Sequence, residues 1–203
     1  MSRLATYSAL ERIGPTITTG EASTALGISL SSASRLLSGL VREGQAHRLR
    51  RGLWSVGRHA PDPFAVVTDL TRPFPSYVSC LSALDHHGII DQVPRDIEVA
   101  SLDRARRIAT SGATYSIHHL PPPLFTGWTT TVRGAIAMPA KAIFDICYFA
   151  ATRSGRPRGI PELDLPDDFD WARCEPWLER IPSARLRTLT IRGLDYARSR
   201  ATR

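Results

Sequence analysis

The stretch of this chain that most restricts its fold is residues 18–56, where stop and start signals crowd so closely that only short elements fit between them. Thr18, with Glu21 three residues on, makes the T-x-x-E pattern of a capping box. It opens a short helix carrying Ala22, Ala25 and Leu26, which ends at Gly27. Ser29 then caps another helix, whose apolar residues Ala33, Leu36, Leu37, Leu40 and Val41 fall at i, i+3, i+4, i+7 and i+8. That spacing makes one buried stripe and leaves Ser31, Ser32, Ser34, Arg35, Ser38 and Arg42 outside it. Gly44 ends the helix and releases GQAHRLRRGLWSV, a basic hairpin too short to own a core. Upstream, Leu4, Tyr7, Leu10 and Ile13 recur at helical spacing until Gly14-Pro15 stops them.

Three helices followed by a basic hairpin predict a winged helix-turn-helix over residues 1–60. Leu49, Leu53 and Trp54 are expected to pack on the helices, with Arg48 and Arg50 sharing a strand face and Arg51-Gly52 at the tip. Serine is a mediocre helix former, and a merely solvated face usually carries Glu and Gln. A face of small hydroxyls around one arginine instead suits close approach to a major groove. The candidate DNA-binding residues are therefore Ser29, Ser31, Ser32, Ser34, Arg35, Ser38 and Arg42 of the third helix, with His47, Arg48, Arg50 and Arg51 of the hairpin set against phosphate. A three-helix bundle with a solvated serine face is the plainer alternative.

Charge supports the first reading by its position. Of a formal net charge of +7, residues 1–60 hold eight Arg against three Glu, whereas residues 161–203 balance eight Arg with eight acids. A basic N-terminal third favours a polyanion, and nucleic acid is the commonest one. The preponderance of Arg over a single Lys is compositional and carries no function by itself.

Prolines and polar residues over 58–63 interrupt both periodicities and mark a boundary, so residues 61–203 are read as a second, mixed α/β domain and the whole as α+β. A helix is predicted over 76–87, strands over 96–101 and 114–120, and a strand over 136–139 leading into a helix with Pro139 at its first turn. Apolar runs fall well short of the ~18 residues a membrane span requires, and the first residues lack a signal-peptide pattern, so no membrane association and a cytoplasmic location are expected. Cys80, Cys147 and Cys174 are odd in number and show no CxxC spacing, which points to buried free thiols.

Catalytic constellations are weak. Adjacent histidines at 86–87 and 118–119 point apart on either element type and chelate poorly. Asp96 and Glu98 after Pro94 suggest a nuclease strand, but Ala100 stands where that chemistry wants a lysine beside its metal-activated water. No phosphate loop or nucleophile elbow is present, and no enzymatic activity, cofactor or metal is expected. Lys141 and Asp145 have the spacing of an i,i+4 ion pair, worth a few tenths of a kcal/mol on an exposed helix, with a packing or partner contact as the alternative. The acids from Glu162 to Asp170 are set either against a basic partner or against this chain's own basic surface.

The hairpin HRLRRGLWSV, SCLSALDHHGI (79–89) followed by PRDIEVA (94–100), and IAMPAKAIFDIC (136–147) occur here in an order that resembles the AbiEi-like antitoxins of toxin-antitoxin systems. The resemblance covers most of the chain and is poorest after residue 160. It implies an N-terminal winged helix, an antitoxin domain, repression of the chain's own operon through double-stranded operator DNA, and a cognate nucleotidyltransferase toxin countered directly or indirectly. The competing reading is a winged-helix transcriptional regulator whose α/β domain senses a small ligand.

Overall fold

A computed structural model describes residues 3–153 and 159–202, with side chains described from Thr6 to Arg153 and from Gly159 to Ala201; the Leu4 side chain falls outside the described part. The first 56 residues form α1 (Arg3–Glu11), β1 (Ile17–Thr18), α2 (Thr19–Leu26), α3 (Leu30–Arg42), β2 (Ala46–Arg50) and β3 (Leu53–Val56). Local chemistry sets these limits. The Thr18 side chain accepts from the Glu21 N–H while the Glu21 carboxylate accepts from the Thr18 N–H, completing the capping box. Gly27 closes α2 in the left-handed region at φ 62°, where a Cβ is disfavoured, and Ser29 caps α3 through the Ser32 N–H. The three strands form an antiparallel sheet in the order β1-β3-β2.

This part encloses a small core of Leu10, Ile17, Ala22, Ala33, Leu37 and Trp54. The Trp54 indole N–H donates to the Thr19 hydroxyl at 2.9 Å, which satisfies the polar edge of a buried ring. Ala25 and Ile13, assigned to the apolar side by spacing, are exposed.

The remainder is built on a six-stranded mixed sheet. After α4 (Val67–Thr71) come β4 (Ser76–Val78), α5 (Cys80–His86), β5 (Ile97–Ser101), β6 (Arg106–Ala109), β7 (Thr114–His119), β8 (Trp128–Thr131) and β9 (Gly134–Ala137), in the sheet order β6-β7-β5-β4-β9-β8. Helix α6 (Pro139–Thr152) crosses behind the sheet and packs on α5 and on α8 (Ala184–Ser199). Between them lie β10 (Leu163–Asp164) and α7 (Glu175–Glu179), and β11 (Ala201–Thr202) pairs in parallel with β10. That pairing places the start of the acidic segment beside the end of α8, and Arg198 of α8 lies over the Trp171 ring. No helix among the described residues is long and apolar enough to cross a membrane.

The single helix predicted over 76–87 is corrected to a strand, a Ser79 break and a helix. The break has a cause: the Ser79 hydroxyl donates to Asp145 at 2.7 Å and so does not cap α5, and Glu98 on β5 accepts from the Leu81 N–H instead. Cys80 takes φ +52° at this corner.

A second correction concerns the hairpin. Leu49 and Leu53 pack not with Trp54 but in the larger core, together with Phe64, Val67 and Leu70 among others. The hairpin therefore lies between two cores and gives one face to each.

Candidate nucleic-acid interface

Helix α3 presents Ser31, Arg35, Ser38 and Arg42 to solvent, while Ala33 and Leu37 are fully buried on its opposite side. The hydroxyls are less free than the sequence suggests. Ser29 Oγ accepts from the Ser32 N–H at 3.2 Å, donates to Ser32 Oγ at 2.9 Å and lies 3.0 Å from Ser31 Oγ. Ser38 Oγ donates back to the Ser34 carbonyl at 2.8 Å. The Arg35 and Arg42 guanidiniums hold no carboxylate among the described residues, and the Ser34 hydroxyl has no hydrogen-bond partner there.

On the hairpin, Arg48 pairs with Trp54 and Arg50 with Leu53, with a bulge between them. Because Trp54 and Leu53 alternate across the sheet, the bulge sends the two arginines to opposite faces, which overturns the shared face expected from period-two spacing. Arg48 is exposed, its guanidinium 5.5 Å from the Trp54 ring centroid. Arg50 turns inward: one terminal nitrogen donates to the Asp69 carbonyl at 3.4 Å, and its Nε is buried without a partner. Arg51 is exposed at the tip, and His47 Nε2 lies 3.3 Å from the Arg58 carbonyl. The structure thus leaves Arg35, Arg42, Arg48 and Arg51 open to solvent and commits Arg50 to the protein.

Several arginines of the larger unit are paired with aspartates. Arg72 meets Asp69 at 2.7 Å, Arg107 meets Asp96 at 2.8 Å, Arg133 meets Asp62 at 2.6 Å, and Arg106 pairs with Asp103. Hydrogen bonding from Arg133 holds the Asp62 carboxyl below its ordinary range, and Arg107 does the same for Asp96. The carboxylates considered for a nuclease are likewise occupied, Asp96 by Arg107 and Ser116, and Glu98 by the Leu81 N–H.

A polar centre that the sequence reading placed on a helix surface lies inside the fold. Lys141 and Asp145 are both fully buried and meet at 2.6 Å; Tyr77 and Ser79 donate to the other Asp145 oxygen at 2.9 and 2.7 Å. Lys141 Nζ also lies 4.6 Å from the Phe144 ring centroid and 5.0 Å from that of Trp177. Gly127, at φ +83°, passes so close that a Cβ there would sit 2.4 Å from Trp177. Burial, and then the Asp145 charge, push the Tyr77 phenol well above its usual range. With every strong partner internal, this centre anchors α6 to β4.

One exposed residue of α3 escaped the sequence reading. Leu30 shares the angular position of Leu37 on the helix, so spacing alone assigns it to the buried stripe, yet it is 62% exposed. In comparisons with known proteins, no family model matches the chain and no curated protein matches it.

Proposed function

We propose that residues 1–60 are a winged helix-turn-helix that binds double-stranded DNA, with α3 in the major groove and Arg48 and Arg51 of the hairpin along phosphate, and that the chain is an antitoxin repressing its own operon. The observation that carries this reading is a set of unpaired arginines on two adjoining elements. Arg35 and Arg42 of α3 and Arg48 and Arg51 of the hairpin face solvent without a carboxylate partner among the described residues. Unneutralised guanidiniums beside a helix of small side chains suit a polyanion with a readable groove. Opposition to a nucleotidyltransferase toxin is supported by the order of sequence motifs alone.

The test is fluorescence anisotropy of the full chain on DNA from upstream of its own reading frame and on a scrambled duplex. We expect preference for the former, and Arg35→Ala to reduce that preference by about 1–3 kcal/mol. Equal binding to both duplexes by the unaltered chain would overturn sequence-specific recognition. For the antitoxin half, co-expression with a neighbouring nucleotidyltransferase is expected to restore growth through residues 61–203.

A further inference from the structure

We propose that the outer edge of β8 is an interface between two copies of this chain, which pair there as antiparallel strands about a two-fold axis at Thr129. The inference uses neither α3 nor the arginines of the DNA-binding reading and stands apart from it. The six-stranded sheet ends at β6 on one side and at β8 on the other, and the two edges differ. Strand β6 carries Arg106 and Arg107, each held by an aspartate, and lies beside the hairpin strand β2, so charge and a neighbouring element both guard it against a further strand. Strand β8 has neither guard. From Phe125 to Thr131 the chain holds no charged residue and no proline, and Trp128, Thr129 and Thr130 are all exposed. The first charge beyond it, Arg133, is taken up by Asp62. Three consecutive threonines favour the extended backbone, and an uncharged, exposed edge of that kind is a template for another strand.

The backbone sets the register. The Gly127 carbonyl accepts from the Met138 N–H at 2.9 Å, and β8 runs beside β9 from Trp128 opposite Ala137 to Thr131 opposite Gly134. Alternate residues of an antiparallel strand bond to a given partner. Gly127, Thr129 and Thr131 therefore face β9, while Trp128 and Thr130 turn their N–H and C=O groups outward, where no strand among the described residues pairs with them. A second β8 running the opposite way meets them with the same two residues, Trp128 of each copy opposite Thr130 of the other. A chain of formal charge +7 repels its own copy, which favours contact at an uncharged strand. Trp128 is 37% exposed although its ring stacks with Tyr77 and tilts against Phe125. This register sets the two Trp128 rings diagonally across the axis, within reach of each other.

Sedimentation equilibrium of the full chain without DNA is expected to show a dimer. Thr129→Lys and Thr129→Glu each set like charges directly across the axis and should each sediment with the mass of a single chain. An equimolar mixture of the two variants sets opposite charges there and should regain the dimer. Circular dichroism of each variant checks that the exposed substitution leaves the fold intact. Thr129→Cys should form a cross-linked pair under mild oxidation, the native Cys80, Cys147 and Cys174 being buried. Thr131→Cys, which this register places opposite Gly127 and away from its own copy, should not. A single-chain mass for the unaltered protein, a dimer that survives in both charged variants, or cross-linking at Thr131→Cys as readily as at Thr129→Cys would overturn the assignment to β8. None of these outcomes bears on DNA binding by α3.

Discussion

An ammonium with no exposed surface needs a counter-charge within reach and polarisable groups on its other sides, and Lys141 has both. Removing one member of such a pair strands the other in a low-dielectric interior, at a cost of about 3–5 kcal/mol. Lys141→Met is therefore expected to lower stability by that amount, measured by urea unfolding followed by circular dichroism. A loss below about 1 kcal/mol would mean that Tyr77 and Ser79 alone can hold the Asp145 carboxylate. The pairing was legible from the four-residue spacing, but the burial was not. Helix α6 is covered on nearly every side, with Ala140, Ala142, Ile143, Phe144, Cys147, Tyr148 and Phe149 all buried, so no exposed face breaks its pattern. Leu30 is the opposite case, since it has the angular position of the buried Leu37 and is largely exposed.

At the scale of elements, the bulge in the hairpin divides labour between adjacent arginines. Arg51 at the tip is free to neutralise phosphate, so Arg51→Ala should flatten the dependence of log affinity on log salt by about 0.9 and weaken all duplexes alike. Arg50→Ala should leave that slope unchanged and lower the melting temperature, because its guanidinium binds the Asp69 carbonyl. Equal slope changes in the two variants would put Arg50 on phosphate as well. Caps and stops were readable because they are local: Thr18, Glu21, Gly27 and Ser29 act within a few residues of themselves. The bulge was not, because it depends on the register of a partner strand. Strand β4 was hidden for a related reason, since three residues running straight into a helix carry no alternation of their own. The edge strands β6 and β8 are largely polar, and α8 mixes arginines and threonines with its buried residues, so neither kind of element stood out.

Across the whole molecule, the two cores meet at the hairpin. Trp54 belongs to one, and Leu49 and Leu53 belong to the other. Residues 1–60 in isolation would leave those leucines in water, forfeiting about 1.5–3 kcal/mol for each side chain, a large share of what a 60-residue unit can hold. Thermal melts should find the 1–60 fragment much less stable than the intact chain, and Leu49→Thr with Leu53→Thr should make that fragment more soluble. A fragment melting at the temperature of the full chain would mean that the shared face contributes nothing. An N-terminal head of this design is not a cassette. Grafted onto an unrelated partner it would arrive with a bare apolar flank, so recombination that exchanges such heads should succeed only where the breakpoint falls beyond the hairpin and the recipient offers its own seat for two leucines.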